Sequence, residues 1–209
     1  MSDQKKERPI LFSGEMVRAI LAGRKTMTRR AVKPQPIAGE GVRTCPHCAS
    51  DWAYTVNGGA CSCGSVTNRY GNPGDRLWVK ETFCEKPFMP GIVYRATCDG
   101  IAKDNMKGGK WKPSIFMPRG ASRITLEIVE TRIERLQDIS EEDAQAEGAT
   151  PLRRIDIAVH ESLLSIQSDL YSHKIGYFKL WESINGPGSW DANPFVWVIE
   201  FKRLEGGAQ

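Results

Sequence analysis

The sequence predicts an α+β fold in which a small sheet can close into a barrel and helices flank it. Its 209 residues, 40% of them hydrophobic, suit one ordinary domain with a real core. Residues 123–130 alternate between apolar and polar side chains, and residues 195–201 form an apolar run, so both segments predict strands. Helical patterns lie between strand patterns in mixed order, which is typical of the α+β class.

The N-terminal elements follow from local signals. Residues 9–12 predict a short strand, and Ser13 can then cap a helix that Gly23 ends. The next segment, residues 24–30, is too polar for a core element. We therefore expect it to be an exposed loop or a strand edge.

The later elements are read in the same way. Residues 77–83 and, less regularly, 92–96 have strand patterns. A helix is expected from Ser140 to about Glu147, with Gly148 as its stop. A longer helical region is expected over 156–184, weakened near Gly176.

Composition and charge exclude several classes of protein. No apolar run approaches the roughly 18 residues of a membrane span, and residues 1–8 lack the apolar stretch of a signal peptide, so we expect a cytoplasmic protein without a membrane partner. The net charge is only +4, but six basic residues and no acidic residue lie between Arg18 and Lys33. Such a cluster suits a phosphate backbone or another anion; the alternative is a solvated surface.

Four of the six cysteines are bunched in a segment rich in Gly, Ser, Thr and Asn. Cys45 and Cys48 are separated by twelve residues from Cys61 and Cys63. Two such pairs can bring four thiolates to one tetrahedral, structural zinc ion, whose binding would fold the loop at about 44–69. The second pair has one intervening residue where two are usual, so unligated thiols or a redox pair remain as alternatives.

Lys25 and Thr28 lie three residues apart in the basic segment. A lysine amine can act as the base for a neighbouring hydroxyl if burial lowers its pKa. A nearby carboxylate would then be needed to shuttle a proton. The alternative is a basic loop that only touches phosphates.

Several blocks spread along the chain support a family resemblance. In order they are PILFSG (9–14), ILAGRKTMTRR (20–30), YGNPGDRLWVKETF (70–83), WKPSIFMPR (111–119) with ASRITL (121–126), RLQDISEEDAQAEG (135–148), WESING (181–186) and FVWVIEFKRL (195–204). This series resembles the ASCH domain family of the PUA-like superfamily. It is similar in particular to the ASCH proteins carried by phages and prophages.

The resemblance implies a PUA-like fold, a small and partly open β-barrel with flanking helices. It implies one domain over 9–204, with tails at 1–8 and 205–209, and leaves the cysteine loop as an insertion whose zinc it neither supports nor excludes. Such domains contact RNA or modified nucleosides in a cleft beside the barrel. The basic segment would lie at that cleft, and the residues expected to bind the ligand are Arg24, Thr26, Arg29 and Arg30.

One branch of the family, the N4-acetylcytidine amidohydrolases, is similar at three key positions. Its lysine, threonine and glutamate correspond to Lys25, Thr28 and Glu147. The resemblance implies that Lys25 takes the Thr28 proton, that the hydroxyl attacks the acetyl carbon, and that Glu147 protonates the leaving amine and then activates water. Arg24 or a backbone N–H would stabilise the oxyanion.

The chain also departs from that branch. It is about twice as long as the shared core, and Arg29-Arg30 replaces the Ile-Arg-Asp continuation. Two other functions therefore stay open. One is a ribonuclease of the ASCH type, in which Thr28 only positions phosphate. The other is a non-catalytic adaptor for nucleic acid or protein, with the cysteine loop as its docking surface.

Overall fold

The computed structural model describes residues 5–33, 35, 68–85, 91–98, 110–167 and 169–204. The helices and strands alternate in mixed order, as the α+β prediction requires. They are β1 (Glu7–Leu11), α1 (Gly14–Leu21), β2 (Met27–Ala31), β3 (Arg76–Lys80), β4 (Phe83–Glu85), β5 (Ile92–Tyr94), β6 (Thr125–Arg135), α2 (Glu141–Ala146), β7 (Leu152–Arg153), β8 (Tyr171–Ser172), α3 (His173–Asn185) and β9 (Phe195–Leu204).

Five of these strands form the main sheet, in the order β1-β3-β6-β9-β2. Strands β1 and β3 are parallel, and the other neighbours are antiparallel. The sheet is open: within the described part of the chain, its edge strands β1 and β2 are joined by no ladder. A side-chain hydrogen bond of 2.7 Å, from Arg30 Nη2 to the Leu11 carbonyl, connects these two edges.

Strand β9 is buried on both faces of the sheet, which explains its continuous apolar run. Trp197 and Ile199 belong to the core on the side of α1, together with Val17. Val196 and Val198 belong to a second core on the side of α2 and α3. The sheet is therefore covered by helices on both faces, and the candidate site lies at its β2 edge, where residues of α1 and α3 both contribute.

The helix termini form as their capping residues predict. The Ser13 hydroxyl accepts from the Met16 backbone N–H, and α1 is followed by Gly23 at φ +71°. Similarly, the Ser140 hydroxyl accepts from the Asp143 N–H at 3.0 Å at the start of α2. Strand β1 begins at Glu7, inside the segment expected to be a tail.

The long helix expected over 156–184 is wrong in its first half. Only His173–Asn185 is α-helical, and two short 3₁₀ turns and a two-residue strand precede it. Gly176 is required within α3 because a Cβ there would lie 1.8 Å from the Thr150 carbonyl oxygen. The glycine thus marks a close backbone approach, where the sequence suggested a weakened helix.

Candidate active site

A tight connection carries the chain from α1 into β2 and fixes Lys25. After Gly23, the backbone N–H of Lys25 donates to the Ala19 carbonyl at 3.1 Å. The Thr26 N–H donates at 2.9 Å to the Ala146 carbonyl at the end of α2. These bonds tie the start of β2 to both helices, so the Lys25 side chain enters the protein between them.

The expectation that residues 24–30 form an exposed loop or a strand edge is wrong about the exposure of Lys25, Thr28 and Arg29. The segment does form an edge strand, but Lys25 and Thr28 are each only 2% exposed and Arg29 is 4% exposed. Burial of such polar residues requires partners. Those partners come from α2 and β6, more than 100 residues along the chain.

Helix α2 delivers Glu147 to the same place. Glu147 is the residue that follows the last helical turn, and Gly148 then turns the chain at φ +77°. A Cβ at Gly148 would lie only 3.2 Å from the Lys25 Cβ, so a glycine lets the two segments meet. Glu147 is 3% exposed, so its carboxylate is buried although it stands at the end of a helix.

Lys25 and Glu147 form a buried ion pair. The Lys25 Nζ donates to Glu147 Oε2 at 2.7 Å, to the Glu147 carbonyl at 2.8 Å and to the Met27 carbonyl at 2.7 Å. Burial, the largest influence, lowers the pKa of Lys25, while the charge and hydrogen bond of Glu147 raise it. Burial of Lys25 therefore opposes its charge, while its carboxylate partner favours the charged form.

Arg29 is held by carboxylates, although it was expected to bind substrate. Its Nη2 donates to Asp143 and, at 3.1 Å, to Glu134, while its Nη1 lies 3.7 Å from Glu147 Oε1. Burial lowers the pKa of Arg29, but Glu147 and Asp143 outweigh this and raise it. Arg132 joins the network by donating to Asp143 at 3.0 Å. The guanidinium of Arg29 therefore orders the acidic residues around the pair.

A small cavity of about 50 Å³ opens beside the pair. Its walls mix the polar residues of β2 and α2 with aromatic and aliphatic side chains. They are Met16, Thr28, Arg29, Arg30, Ala31, Glu147, Tyr177, Leu180, Trp181, Ile184 and Asn185. Thr28 and Glu147 thus share one cavity, whereas Lys25 lies behind Glu147 and is not part of its wall.

Glu147 Oε1 is the chemically distinctive atom of this cavity. It is buried, and within the described ranges no donor hydrogen-bonds to it. Burial, the Glu147 charge and a hydrogen bond with the Glu147 side chain raise the pKa of the neighbouring Tyr177 on α3 well above its ordinary value. A buried carboxylate oxygen without a full set of donors is costly, so the Tyr177 hydroxyl and the Arg29 guanidinium matter for its stability.

The other expected ligand-binding residues divide between two places. Arg30 is half-buried at the cavity, where its guanidinium lies 5.4 Å from the centre of the Phe12 ring. Arg24 and Thr26 are exposed and line a separate groove of about 440 Å³ that also includes Gln145. Arg24 is therefore not placed with Thr28, and an oxyanion role for it finds no support in this geometry.

Sequence reasoning missed three residues that shape the cavity. Tyr177 and Trp181 are four residues apart on one face of α3, with ring centroids 6.2 Å apart. This spacing indicates only a core-facing stripe. Asp143 lies in the first turn of α2 and holds Arg29, and no sequence signal connects the two residues.

The predicted zinc ligands, Cys45, Cys48, Cys61 and Cys63, lie outside the described residues. Within the described part, no group of three or more His, Cys, Asp or Glu side chains is placed to hold a metal ion. The two cysteines described there, Cys84 and Cys98, are free thiols.

Comparisons with known proteins leave the family open. No protein-family model matches the chain, and neither a curated protein nor a solved structure is significantly similar to it. Across the described helices, none is long and apolar enough to cross a membrane. The function must therefore be argued from the site itself.

Proposed function

We propose that this protein is an amidohydrolase that removes the acyl group from an N-acylated nucleobase, such as that of N4-acetylcytidine. The observation that carries the proposal is that Thr28 and Glu147 line the same small cavity, with Lys25 bonded to Glu147 from 122 residues away in the chain. A hydroxyl, a carboxylate and a lysine are the groups that nucleophilic acyl transfer needs. The resemblance to ASCH proteins, and to a PUA-like barrel built on the open sheet, belongs to the same proposal.

The chemistry proceeds through an acyl-enzyme. As the Thr28 oxygen attacks the acyl carbon, its proton passes to the hydrogen-bonded Lys25–Glu147 pair. The tetrahedral intermediate collapses when Glu147 passes that proton to the exocyclic nitrogen, which leaves with the base. Water, activated by Glu147, then releases the acid from Thr28. The apolar wall formed by Leu180 and Trp181 excludes bulk water and suits the acyl group or the face of the base.

The charges around the cavity favour a neutral nucleoside over a phosphodiester. Arg30 also lines the cavity, but apart from it the three cations in the network are bonded to four carboxylates. Lys25, Arg29 and Arg132 are bonded to Glu134, Asp143, Glu147 and Glu200. A phosphate at Glu147 Oε1 would meet a like charge. The charges therefore support hydrolysis of a nucleoside better than they support RNA binding or RNA cleavage.

Chromatography of N4-acetylcytidine incubated with the purified protein tests the proposal. Wild type should release cytidine, and Thr28→Val should lose at least about 100-fold in rate. Thr26→Val is the matched control, because Thr26 is exposed in the separate groove, and it should keep wild-type activity. No cytidine release by wild type, or full activity in Thr28→Val, would contradict the proposal. Cleavage of RNA that tolerates Thr28→Val would instead favour the ribonuclease.

We also propose a structural zinc ion held by Cys45, Cys48, Cys61 and Cys63. The support is the spacing of the two cysteine pairs alone. Protein purified without chelators should contain one zinc per chain by elemental analysis, and Cys61→Ser should lose it. Zinc-free wild type would show that the thiols are unligated or redox-active.

A further inference from the structure

We propose that the free edge of β2 binds the base of the substrate, with the Arg29 carbonyl as acceptor and the Ala31 N–H as donor. The feature that this pair recognises is an exocyclic N–H beside an unprotonated ring nitrogen, as in an N-acylated aminopyrimidine. This inference rests on the proposed hydrolysis and names the class of base that the site accepts. It follows from the pairing of β2 with β9, from the partner of the Met27 carbonyl and from the wall of the cavity.

The pairing with β9 decides which backbone groups of β2 are free. Within the described part of the chain, β2 is an edge strand whose only neighbour is β9. Just outside the two ends of β2, the Thr26 carbonyl accepts from β9 and the Val32 N–H donates to β9, both at 2.9 Å. In an antiparallel ladder every second residue bonds to a given neighbour. The N–H and C=O groups of Met27, Arg29 and Ala31 therefore point away from β9.

The Met27 carbonyl shows what this outward edge faces. It accepts from Lys25 Nζ at 2.7 Å, and the same Nζ donates to Glu147 Oε2 at 2.7 Å. The edge therefore faces the end of α2, which Glu147 follows. Successive outward residues of a strand lie about 7 Å apart, so the backbone of Arg29 comes next along the same edge.

The two edges of the main sheet differ in their protection. On β1, Pro9 has no N–H to offer, and the Leu11 carbonyl accepts from Arg30 Nη2 at 2.7 Å. Strand edges are commonly blocked by such devices. On β2, no group of the described residues hydrogen-bonds to the Arg29 carbonyl or the Ala31 N–H. This part of the edge is therefore open to a ligand.

The open part of the edge borders the cavity. Arg29 and Ala31 both line it, together with Thr28 and Glu147. The Arg29 guanidinium is held by carboxylates of α2 and β6, and Ala31 has only a methyl group, which packs against the core of α2 and α3. What these two residues offer a ligand is thus their backbone. Because buried backbone groups are paired in nearly all native structures, a ligand that pairs them is favoured.

The order of the outward groups matches one edge of an aminopyrimidine. The Arg29 C=O and the Ala31 N–H are consecutive on the edge, an acceptor followed by a donor. The exocyclic nitrogen of an N-acylated cytosine keeps one N–H, which donates to the Arg29 carbonyl, and the adjacent ring nitrogen accepts from the Ala31 N–H. The exocyclic nitrogen then lies nearer the Met27 carbonyl, which Lys25 links to Glu147. Protonation of the leaving nitrogen by Glu147 requires this orientation.

Two substrates and two variants test the pairing. The 3-deaza analogue of N4-acetylcytidine has a C–H in place of the ring nitrogen, and wild type should hydrolyse it with a kcat/KM at least about tenfold lower. Ala31→Pro removes an N–H that makes no ladder bond, so it should lose at least about tenfold on N4-acetylcytidine and no longer distinguish the two substrates. Ala31→Val adds the same number of carbons but keeps the N–H, so it should still distinguish them. An Ala31→Pro variant that discriminates as strongly as wild type would overturn the proposal.

Amide hydrogen exchange of the wild-type protein, followed by NMR, needs neither a variant nor turnover. Cytidine keeps an exocyclic N–H beside the ring nitrogen, so saturating cytidine should slow exchange of the Ala31 amide at least about tenfold. The Arg30 amide, which belongs to the ladder with β9, should not change, and ribose alone should affect neither. An Ala31 amide that cytidine does not protect would overturn the proposal. If wild type releases no cytidine from N4-acetylcytidine, the proposed hydrolysis fails, yet protection of this amide still shows that the edge binds the base.

Discussion

Removing both members of the Lys25–Glu147 pair should cost the fold far less than the sum of the two single removals. Lys25→Met leaves the Glu147 carboxylate buried without the cation that lies 2.7 Å away, which should lower the free energy of unfolding by about 3–5 kcal/mol. Glu147→Gln leaves the Lys25 ammonium uncompensated, at a cost of about 3 kcal/mol. The double variant buries no unpaired charge, so its loss should fall at least about 2 kcal/mol below the sum of the two.

Urea unfolding followed by tryptophan fluorescence measures these differences by linear extrapolation. The pair of Lys112 and Glu85 is a matched control, since its Nζ–Oε2 distance is 2.8 Å while both side chains are about half exposed. The same double-mutant cycle there should give a coupling below about 1 kcal/mol. Equal coupling in the two pairs would refute the reasoning, because the Lys25–Glu147 energy would then not depend on burial.

Two further predictions concern other parts of the fold. Gly176→Ala should destabilise the protein by at least about 2 kcal/mol, because its Cβ would meet the Thr150 carbonyl at 1.8 Å. Gly120→Ala, where a Cβ would have no neighbour within 4 Å, should change the thermal midpoint little, and similar losses in both variants would contradict the packing argument. Lys202 holds the pKa of Glu127 near 2, so the ion pair contributes to stability above the ordinary carboxyl pKa and loses that contribution as the pH falls towards 2. Lys202→Met should raise the pKa of Glu127 in a carbon-13 NMR titration, and an unchanged midpoint would show that Lys202 does not set it.

Local signals predicted the elements that depend on local interactions. The strand around Ile124–Ile128 and the caps at Ser13 and Ser140 were predicted because periodicity and capping act within a few residues. The predicted helix over 156–184 began too early for a related reason. Apolar residues of 156–172 such as Leu163 pack against α3 in its hydrophobic core although this segment is not α-helical. The spacing of apolar residues alone cannot distinguish such packing from that of a helix.

The charge pattern gave a wrong prediction of which basic residues are exposed. Between Arg18 and Lys33 all six charged residues are basic, so a count along the chain predicts an exposed anion site. In the fold, the carboxylates that neutralise Lys25 and Arg29 arrive from residues 134–147. A local charge excess predicts the sign of a surface only when no distant segment compensates it.

The candidate site was found by resemblance, and its chemistry could be judged only from the fold. A lysine three residues before a threonine suggests a base and its nucleophile, but in the fold Thr28 lines the cavity while the Lys25 side chain is bonded to Glu147. The alternation of a strand does not predict this, since Lys25 precedes β2 and the short connection after Gly23 sets its direction. Glu147 was named from a helix-end position, and its burial depends on the close approach of Gly148 to Lys25. Such contacts are a property of the three-dimensional fold, which no spacing along the chain shows.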